Sequence, residues 1–487
     1  LAVFRADGGG TLGYGHWARC LALAEHLARL GWKSRLATAS PATLPAHFRG
    51  FDGILRLEDS ETADPQALRR VSPEADVLVV DHYGLDAQYE RPCRGWARRI
   101  VVVDDLADRP HAADMLIDSA DDARAASYRG LLPDACEVLA GPGHALLRPD
   151  FFPLRLRARP GARPVKRVLI DLGSAGRSSL VEAALAAAAN AWPRARIDAV
   201  VPAADAQMLA SAIAERSKNA VVHAGSGRMA ELIAAADLAI GACGVSAWER
   251  CAAGLAAVAV VTAANQREVA ASLRREGAAL VVAGSGPALA DAVAKLAAEP
   301  ASRAALQSAA MHLCDGLGAA RLAAALDLAA AGTGGSPVRL RPARRTDSDC
   351  MLAWQRDPRT RAFAKRTTAA PTADEHAAWI ARKLHDPACV LQMILHGGEP
   401  AGVLRLDLAA AEPESWTVSI YVAPTHYRRG IARAALAFAR RLRPGATLLA
   451  EVLPGNAASH ALFRAAGYTA KGEVYECPPL RDMVPAS

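Results

Sequence analysis

Apolar residues run along this chain in two rhythms. Short continuous runs come first: Ala2-Val3-Phe4, Val77-Leu78-Val79-Val80, Ile100-Val101-Val102-Val103 and Met115-Leu116-Ile117, the last three each followed by aspartate. Such runs predict buried strands of a parallel sheet, and a polar residue at the strand end sits where open α/β sheets hold ligands. After the first strand, Trp17, Leu21, Ala24 and Ala28 recur at helical spacing. They predict a helix from about His16 to Leu30, closed by Gly31, with Ser34 to Thr38 as the next strand. The pattern restarts at Val168-Leu169-Ile170 and continues through Ile197 to Val201, Ala220-Val221-Val222, Leu238-Ala239-Ile240 and Ala257 to Val261.

The second rhythm begins at Val338-Arg339-Leu340-Arg341, which alternates and is halted by Pro342. Helices are expected around Ser348 to Arg356 and Ala373 to Leu384, and strands at Val390 to Leu395, Ala401 to Leu406 and Trp416 to Val422. That order predicts a small α+β domain. The stretch from Phe152-Pro153 to Lys166, rich in Pro and Arg, reads as a hinge, and residues 331–337 read as a flexible linker. The expected domains are therefore 1–152, 165–330 and 338–480.

A length of 487 residues requires more than one core, and 52% hydrophobic with 22% charged residues is a globular composition with ample core material. Aromatics are only 5%, and abundant alanine predicts tightly packed helices. The net charge of +7 comes from scattered arginines and from two runs, Arg155 to Arg163 and Arg339 to Arg345. Neither run has aromatics interleaved for base stacking, so nucleic acid is not an expected partner; small anionic substrates fit better. Nine cysteines show no C-x-x-C pair or Cys/His ligand spacing, so free thiols in a reducing compartment are expected, with no disulfide frame and no metal site. No leader is read and no apolar run reaches spanning length, so no membrane partner is expected and the location is cytoplasmic.

Candidate chemistry gathers at two glycine-rich turns. Gly8-Gly9-Gly10-Thr11-Leu12-Gly13-Tyr14-Gly15-His16 lies between the first strand and its helix, with Arg19 one turn on. Glycines let backbone N–H groups approach a phosphate, and the helix N-terminus adds partial positive charge. The dinucleotide fingerprint also matches formally, but Lys33-Ser34-Arg35 offers no carboxylate for a ribose, which argues against NAD. The second turn, Gly241 to Gly244, opens a helix carrying Ser246 and Glu249, a spacing that also fits a capping box. Asp81-His82-Tyr83, Asp104-Asp105 and Asn265-Gln266 stand at strand ends, as crevice groups or as helix caps. Two such halves predict a ligand cleft between them.

With these motifs in this order, the first 330 or so residues resemble the UDP-sugar hydrolases of pseudaminic acid biosynthesis. The resemblance rests on Phe4-Arg5-Ala6-Asp7, Gly13-Tyr14-Gly15-His16 with Arg19, Asp81-His82-Tyr83, Gly141-Pro142, Leu146-Leu147-Arg148-Pro149, Ala236 to Gly241, Gly244 to Arg250 and Asn265-Gln266. It implies an α/β fold of two Rossmann-like domains of glycosyltransferase-B (GT-B) type. It also implies hydrolysis of a UDP-linked diacetamido-trideoxy sugar with inversion. By position, His16 would activate water and Tyr83 would lie near the sugar. Gly13, Gly15, Arg19, Gly244, Ser246, Glu249, Asn265 and Gln266 would line the substrate and UDP pocket. A helix N-terminus disfavours a second positive charge, so a histidine there is suited to accept a proton. The chain departs from that family at Asp171 to Gly176 and at Asp118-Ser119-Ala120.

The last 150 or so residues resemble GNAT acetyltransferases, nearest the branch that acetylates an amino group on a UDP-sugar. The motifs are Trp354 with Asp357-Pro358, His376 with Trp379, Gly402, Tyr427-Arg428-Arg429-Gly430-Ile431-Ala432, Val452 to Asn456, Leu462-Phe463 and Gly467-Tyr468. The resemblance implies that acetyl-CoA is held by Val422, Arg428, Arg429, Gly430, Ile431, Ala432 and Asn456. Tyr427 replaces the usual Gln or Arg of that loop, and Phe463 replaces the tyrosine that protonates the leaving thiolate. Together the two resemblances imply a bifunctional enzyme acting on one UDP-linked amino or acetamido sugar. A UDP-sugar glycosyltransferase and a non-catalytic nucleotide-sugar-binding protein with a degenerate acetyltransferase domain remain the alternatives.

Overall fold

The continuous apolar runs form two parallel sheets in the computed structural model. It describes the chain apart from residues 10–12, 159, 174–177, 204, 211–217, 226, 285, 332–337, 364–368 and 481–487. The first sheet holds β1 (Ala2–Ala6), β2 (Ser34–Thr38), β3 (Gly53–Arg56), β4 (Val77–Asp81), β5 (Ile100–Val103), β6 (Met115–Asp118) and β7 (Glu137–Ala140). Its order is β3-β2-β1-β4-β5-β6-β7, with every neighbour parallel. The helix Gly15–Arg29 follows β1 and starts directly on the glycine loop. All of β1, β4 and β5 is buried, which is why those runs carry no polar face.

The second sheet holds β8 (Arg167–Asp171), β9 (Arg196–Val201), β10 (Ala220–Ala224), β11 (Leu238–Ala242), β12 (Ala257–Val261) and β13 (Leu280–Ala283). Its order, β10-β9-β8-β11-β12-β13, is again wholly parallel. Each order reverses once, between β1 and β4 and between β8 and β11. Loops leave in opposite directions at those points and open a crevice at the strand C-termini. Ala184 and Ala188 of the helix Ser178–Ala191 are almost fully buried, as are Ala199 of β9 and Ala259 of β12, so small side chains let helices pack close to the second sheet.

The expected hinge is shorter than Phe152 to Lys166. Phe151–Arg157 is a helix with Phe151, Phe152 and Arg155 buried, and Arg155 donates to the Met311 carbonyl at 2.5 Å. Pro153 does not prevent this, because it occupies the first turn, where its missing N–H costs no intrahelical bond. Residues 1–28 and 32–319 form one compact unit, and residues 29–31 with 320–487 form another.

The second unit carries β14 (Val338–Pro342), β15 (Cys389–His396), β16 (Glu399–Ala411), β17 (Glu414–Val422), β18 (Thr447–Glu451), β19 (Thr469–Lys471) and β20 (Val474–Cys477). They lie in the order β14-β15-β16-β17-β18-β20-β19. All pairs are antiparallel except β17 with β18. Those two pair only at Ser415–Thr417 against Thr447–Leu449, so β17 from Val418 to Val422 parts from its neighbour and opens a notch. Strands β15 and β16 run longer than expected because Gly397 and Gly398, with φ of 63° and 86°, close a tight hairpin between them. In the same unit Arg321 donates to Gln392 Oε1 at 2.8 Å, and Arg441 pairs with Asp327 at 2.7 Å. Of the expected linker, residues 332–337 lie outside the described residues. No helix among the described residues is long and apolar enough to cross a membrane.

Candidate active site

The glycine loop after β1 folds back on itself. Gly9 N–H donates to the Gly13 carbonyl at 2.7 Å, and both residues have positive φ, 84° and 72°, which only glycine adopts without strain. Gly8 is required for another reason: a Cβ there would stand 2.6 Å from the Trp17 ring. Gly10, Thr11 and Leu12 lie outside the described residues. The loop delivers His16 and Arg19, one turn apart, to the same side of the helix.

Register places the partners of this pair. Ala6 at the end of β1 is opposite Asp81 at the end of β4, so Asp81 reaches the start of the helix that β1 feeds. His16 Nδ1 lies 2.5 Å from Asp81 Oδ1, with His16 3% exposed and Asp81 wholly buried. Arg19 grips both Asp81 oxygens, through Nε at 2.9 Å and NH2 at 2.7 Å, and reaches Asp105 Oδ2 at 3.0 Å. Burial opposes the Asp81 charge, yet Arg19 and His16 beside it hold its carboxyl below the usual range. The Tyr83 ring meets His16 edge-on at 4.6 Å, and its hydroxyl donates to Asp105 Oδ2 at 3.4 Å. Burial, with Asp105 nearby, pushes the Tyr83 phenol up to about 12. Asp104 points elsewhere: it accepts from Tyr128 at 3.0 Å and pairs with Arg109 at 2.8 Å.

The opposite side of the crevice is built from backbone. Gly244 N-caps the helix Val245–Ala252 with no side-chain cap, so the Ser246–Glu249 capping box does not form. Ser246 Oγ instead accepts from Arg250 at 3.1 Å, and the buried Arg250 also donates to the Ala242 carbonyl at 2.5 Å. That guanidinium passes where a side chain on Gly241 would be, since a Cβ there would stand 2.4 Å from it. Glu249 makes no side-chain hydrogen bond among the described residues. Burial, then the neighbouring Asp171, push its carboxyl up to about 7, partly countered by Arg148. Gln266 is tied to β12 by accepting from Thr262 N–H at 3.0 Å. Asn265, in the short helical turn Ala264–Gln266 after β12, donates to Tyr83 Oη at 2.8 Å.

One cavity of about 490 Å³ joins the two sides. It is lined by Gly13, Gly15, His16, Arg19 and Tyr83 from the first, and by Gly244, Ser246, Glu249, Asn265 and Gln266 from the second. The two helix starts face each other closely, since a Cβ on Gly15 would lie 3.8 Å from Val245 Cγ2. The residues expected from sequence at this site are therefore brought together. Asp105, expected at the crevice from its strand end, lines the same cavity, as do Arg148, which stood only in a family motif, and His47, which carried no signal.

In the second unit, Val422 ends β17 at the notch. Arg428 and Gly430 have φ of 63° and 74°, and Gly430 caps the helix Ile431–Leu442 without a side-chain bond. Arg428 and Arg429 are exposed, whereas Ile431 turns into the core and Ala432 is half-buried, so these two offer backbone N–H groups. Asn456 Oδ1 accepts from Ser459 N–H at 3.0 Å and starts the next helix. The Tyr427 hydroxyl meets Thr360 at 3.0 Å. Phe463 is 5% exposed and packs on Tyr468 and Tyr475, with ring centroids 5.0 and 5.9 Å away.

The fold and site together define an α/β protein with a cleft between two parallel sheets, followed by a unit on a mixed sheet. Residues 338–469 match the acetyltransferase (GNAT) domain family. The N-terminal part is similar to the UDP-2,4-diacetamido-2,4,6-trideoxy-beta-L-altropyranose hydrolase of Campylobacter jejuni, 29% identical over 153 residues. That match covers 31% of this chain and 53% of the relative, so the chain spans about half of the relative's length. The pair of likenesses is consistent with a fusion of a hydrolase-like part and an acetyltransferase domain. Similar solved structures include a ribosomal alpha-N-protein acetyltransferase with coenzyme A, at 15% identity and TM-score 0.27, covering 29% of this chain and 94% of that one. Another is spermidine N-acetyltransferase from Vibrio cholerae with CoA and spermine, at 17% identity and TM-score 0.26, covering 28% and 92%.

Proposed function

We propose that the first unit is a UDP-sugar hydrolase of GT-B type, acting on a UDP-linked diacetamido-trideoxy sugar, and that the second unit N-acetylates the amino-sugar precursor with acetyl-CoA. The observation that carries the hydrolase reading is the pairing inside one cavity of His16 with an uncapped helix start at Gly244 to Ser246. His16 takes a proton from water, the water oxygen bonds to the anomeric carbon, and the bond from that carbon to the UDP oxygen breaks with its electrons leaving on UDP. Attack opposite to the leaving group inverts the anomeric centre. Backbone N–H groups at the two helix starts stabilise the charge that develops on the diphosphate. Tyr83 lies beside the sugar, and Glu249 and Gln266 beside the uridine diphosphate. The likeness to the Campylobacter hydrolase supports this assignment of substrate.

The GNAT match supports acetyl-CoA as donor, with the turn from Arg428 to Ala432 around its pyrophosphate and the notch beside Val422 receiving its thioester arm. Phe463 supplies no proton to the departing thiolate, so acetyl transfer is slow or uses another donor. Joining two steps in one chain raises the local concentration of the shared intermediate. Nine free thiols and the use of acetyl-CoA fit work in a reducing cytoplasm.

The test is UDP release from UDP-2,4-diacetamido-2,4,6-trideoxy-β-L-altropyranose, alongside CoA release when acetyl-CoA is supplied with the UDP-4-amino precursor. Both products are expected. UDP release only on addition of a sugar acceptor would favour a glycosyltransferase, and binding without either product would reduce the chain to a nucleotide-sugar-binding protein.

A further inference from the structure

Hydrogen bonds connect His16 to the far side of the cleft. Asp81 Oδ1 sits 2.5 Å from His16 Nδ1, a separation that requires a hydrogen between them. Arg19 NH2 also lies 3.1 Å from the same nitrogen, but a guanidinium has only donors, and its nearer acceptor is Asp81 Oδ1 at 2.7 Å. Asp81 is an ionised carboxylate clamped on both oxygens, so the hydrogen belongs to Nδ1. His16 Nε2 makes no hydrogen bond among the described residues, and His16 lines the cavity. From Arg19 the links continue to Asp105 at 3.0 Å, from Asp105 to Tyr83 at 3.4 Å and from Tyr83 to Asn265, in the turn after β12, at 2.8 Å.

We propose that Asp81, held by Arg19, is a positioning residue that fixes His16 as the Nδ1–H tautomer and leaves Nε2 as the base facing the cavity. This rests on the hydrolase reading, which makes His16 the base. Asp81 touches no substrate. Its part is to hold the imidazole plane, to select which nitrogen carries the lone pair, and to stabilise the imidazolium formed when water gives up its proton. An amide at position 81 would present N–H to Nδ1, move the hydrogen to Nε2 and remove the acceptor from the cavity.

The test is the tautomer itself. The full chain is labelled with ¹⁵N-histidine, and long-range ¹H–¹⁵N correlation is recorded where the imidazole is neutral. The His16 signals are those lost in His16→Gln. The expected result is Nδ1–H in the wild type and Nε2–H in Asp81→Asn. Hydrolytic kcat in Asp81→Asn is expected to fall by about 10³- to 10⁴-fold, with the UDP Kd within about threefold of wild type. An Nε2–H tautomer in the wild type would overturn the proposal, and that measurement needs no variant to fold. An unchanged kcat in a folded, UDP-binding Asp81→Asn would overturn it as well. If the wild type holds Nδ1–H but releases no UDP, the tautomer assignment stands and the hydrolase reading fails.

Discussion

The two sides of the first unit's cleft are built from different materials. The side of the first sheet is crowded with side-chain charge: His16, Arg19, Asp81 and Asp105 lie within 3.1 Å of one another in a chain of contacts. The side of the second sheet offers a helix start with no side-chain cap, glycines at Gly241 and Gly244, and a carboxyl, Glu249, that makes no side-chain hydrogen bond among the described residues. Paired side chains are suited to holding a proton acceptor at a fixed position. Unpaired backbone N–H groups are suited to taking up negative charge that arrives with a ligand. Under the proposed hydrolase function this is a division of labour, with the proton step on one side and the leaving group on the other. It can be broken one side at a time.

The largest effect is expected on the charged side. His16→Ala should lower hydrolysis by at least as much as Asp81→Asn, about 10³- to 10⁴-fold, while UDP still binds, measured by UDP release and by calorimetry. On the backbone side, Val245→Pro should do the reverse. Proline is accepted at the first helical position and removes one N–H, so UDP affinity should drop about tenfold with the His16 tautomer unchanged. Asn265→Ala tests the single contact that joins Asn265 to Tyr83. Losing that bond should cost about fivefold in kcat, close to one ordinary hydrogen bond.

The smallest effect should come from Glu249. Its carboxyl is raised from 4.5 to about 7 by burial and then by Asp171, so it is neutral below that pH and negative above it. The other charged groups around it are Arg148, Arg250 and Asp150. An ionised Glu249 repels a diphosphate, so UDP affinity should weaken severalfold as pH rises through about 7. Glu249→Gln should remove that part of the pH dependence, which a titration of UDP Kd against pH in both proteins would reveal.

Local pattern reached the glycine loops and strand ends of both sides, because strand, turn and helix start follow one another in sequence. It did not reach the pairing of Asp81 with His16, which are 65 residues apart. Only the parallel register of β1 and β4 sets Ala6 beside Asp81 and so brings the two together. Ser246 and Glu249 had capping-box spacing, but the helix begins at Val245 with Gly244 as its cap, two residues too early for Ser246 to serve. Pro and Arg around residue 153 looked like a hinge, and buried Phe151 and Phe152 made part of it a helix. Strands β19 and β20 were not foreseen at all. Thr469 to Lys471 is short, exposed and without apolar alternation, and it pairs with Val474 to Glu476 across the turn at Gly472.

Under the proposed hydrolase function, water attacks the sugar carbon and not the phosphorus. Turnover of the UDP-sugar in ¹⁸O-water, with the anomer followed by NMR from the first minute, tests it directly. The expected result is ¹⁸O on the anomeric carbon of a sugar released with inverted configuration, and none in UDP. Label in the β-phosphate of UDP, or a sugar released with its configuration retained, would contradict it.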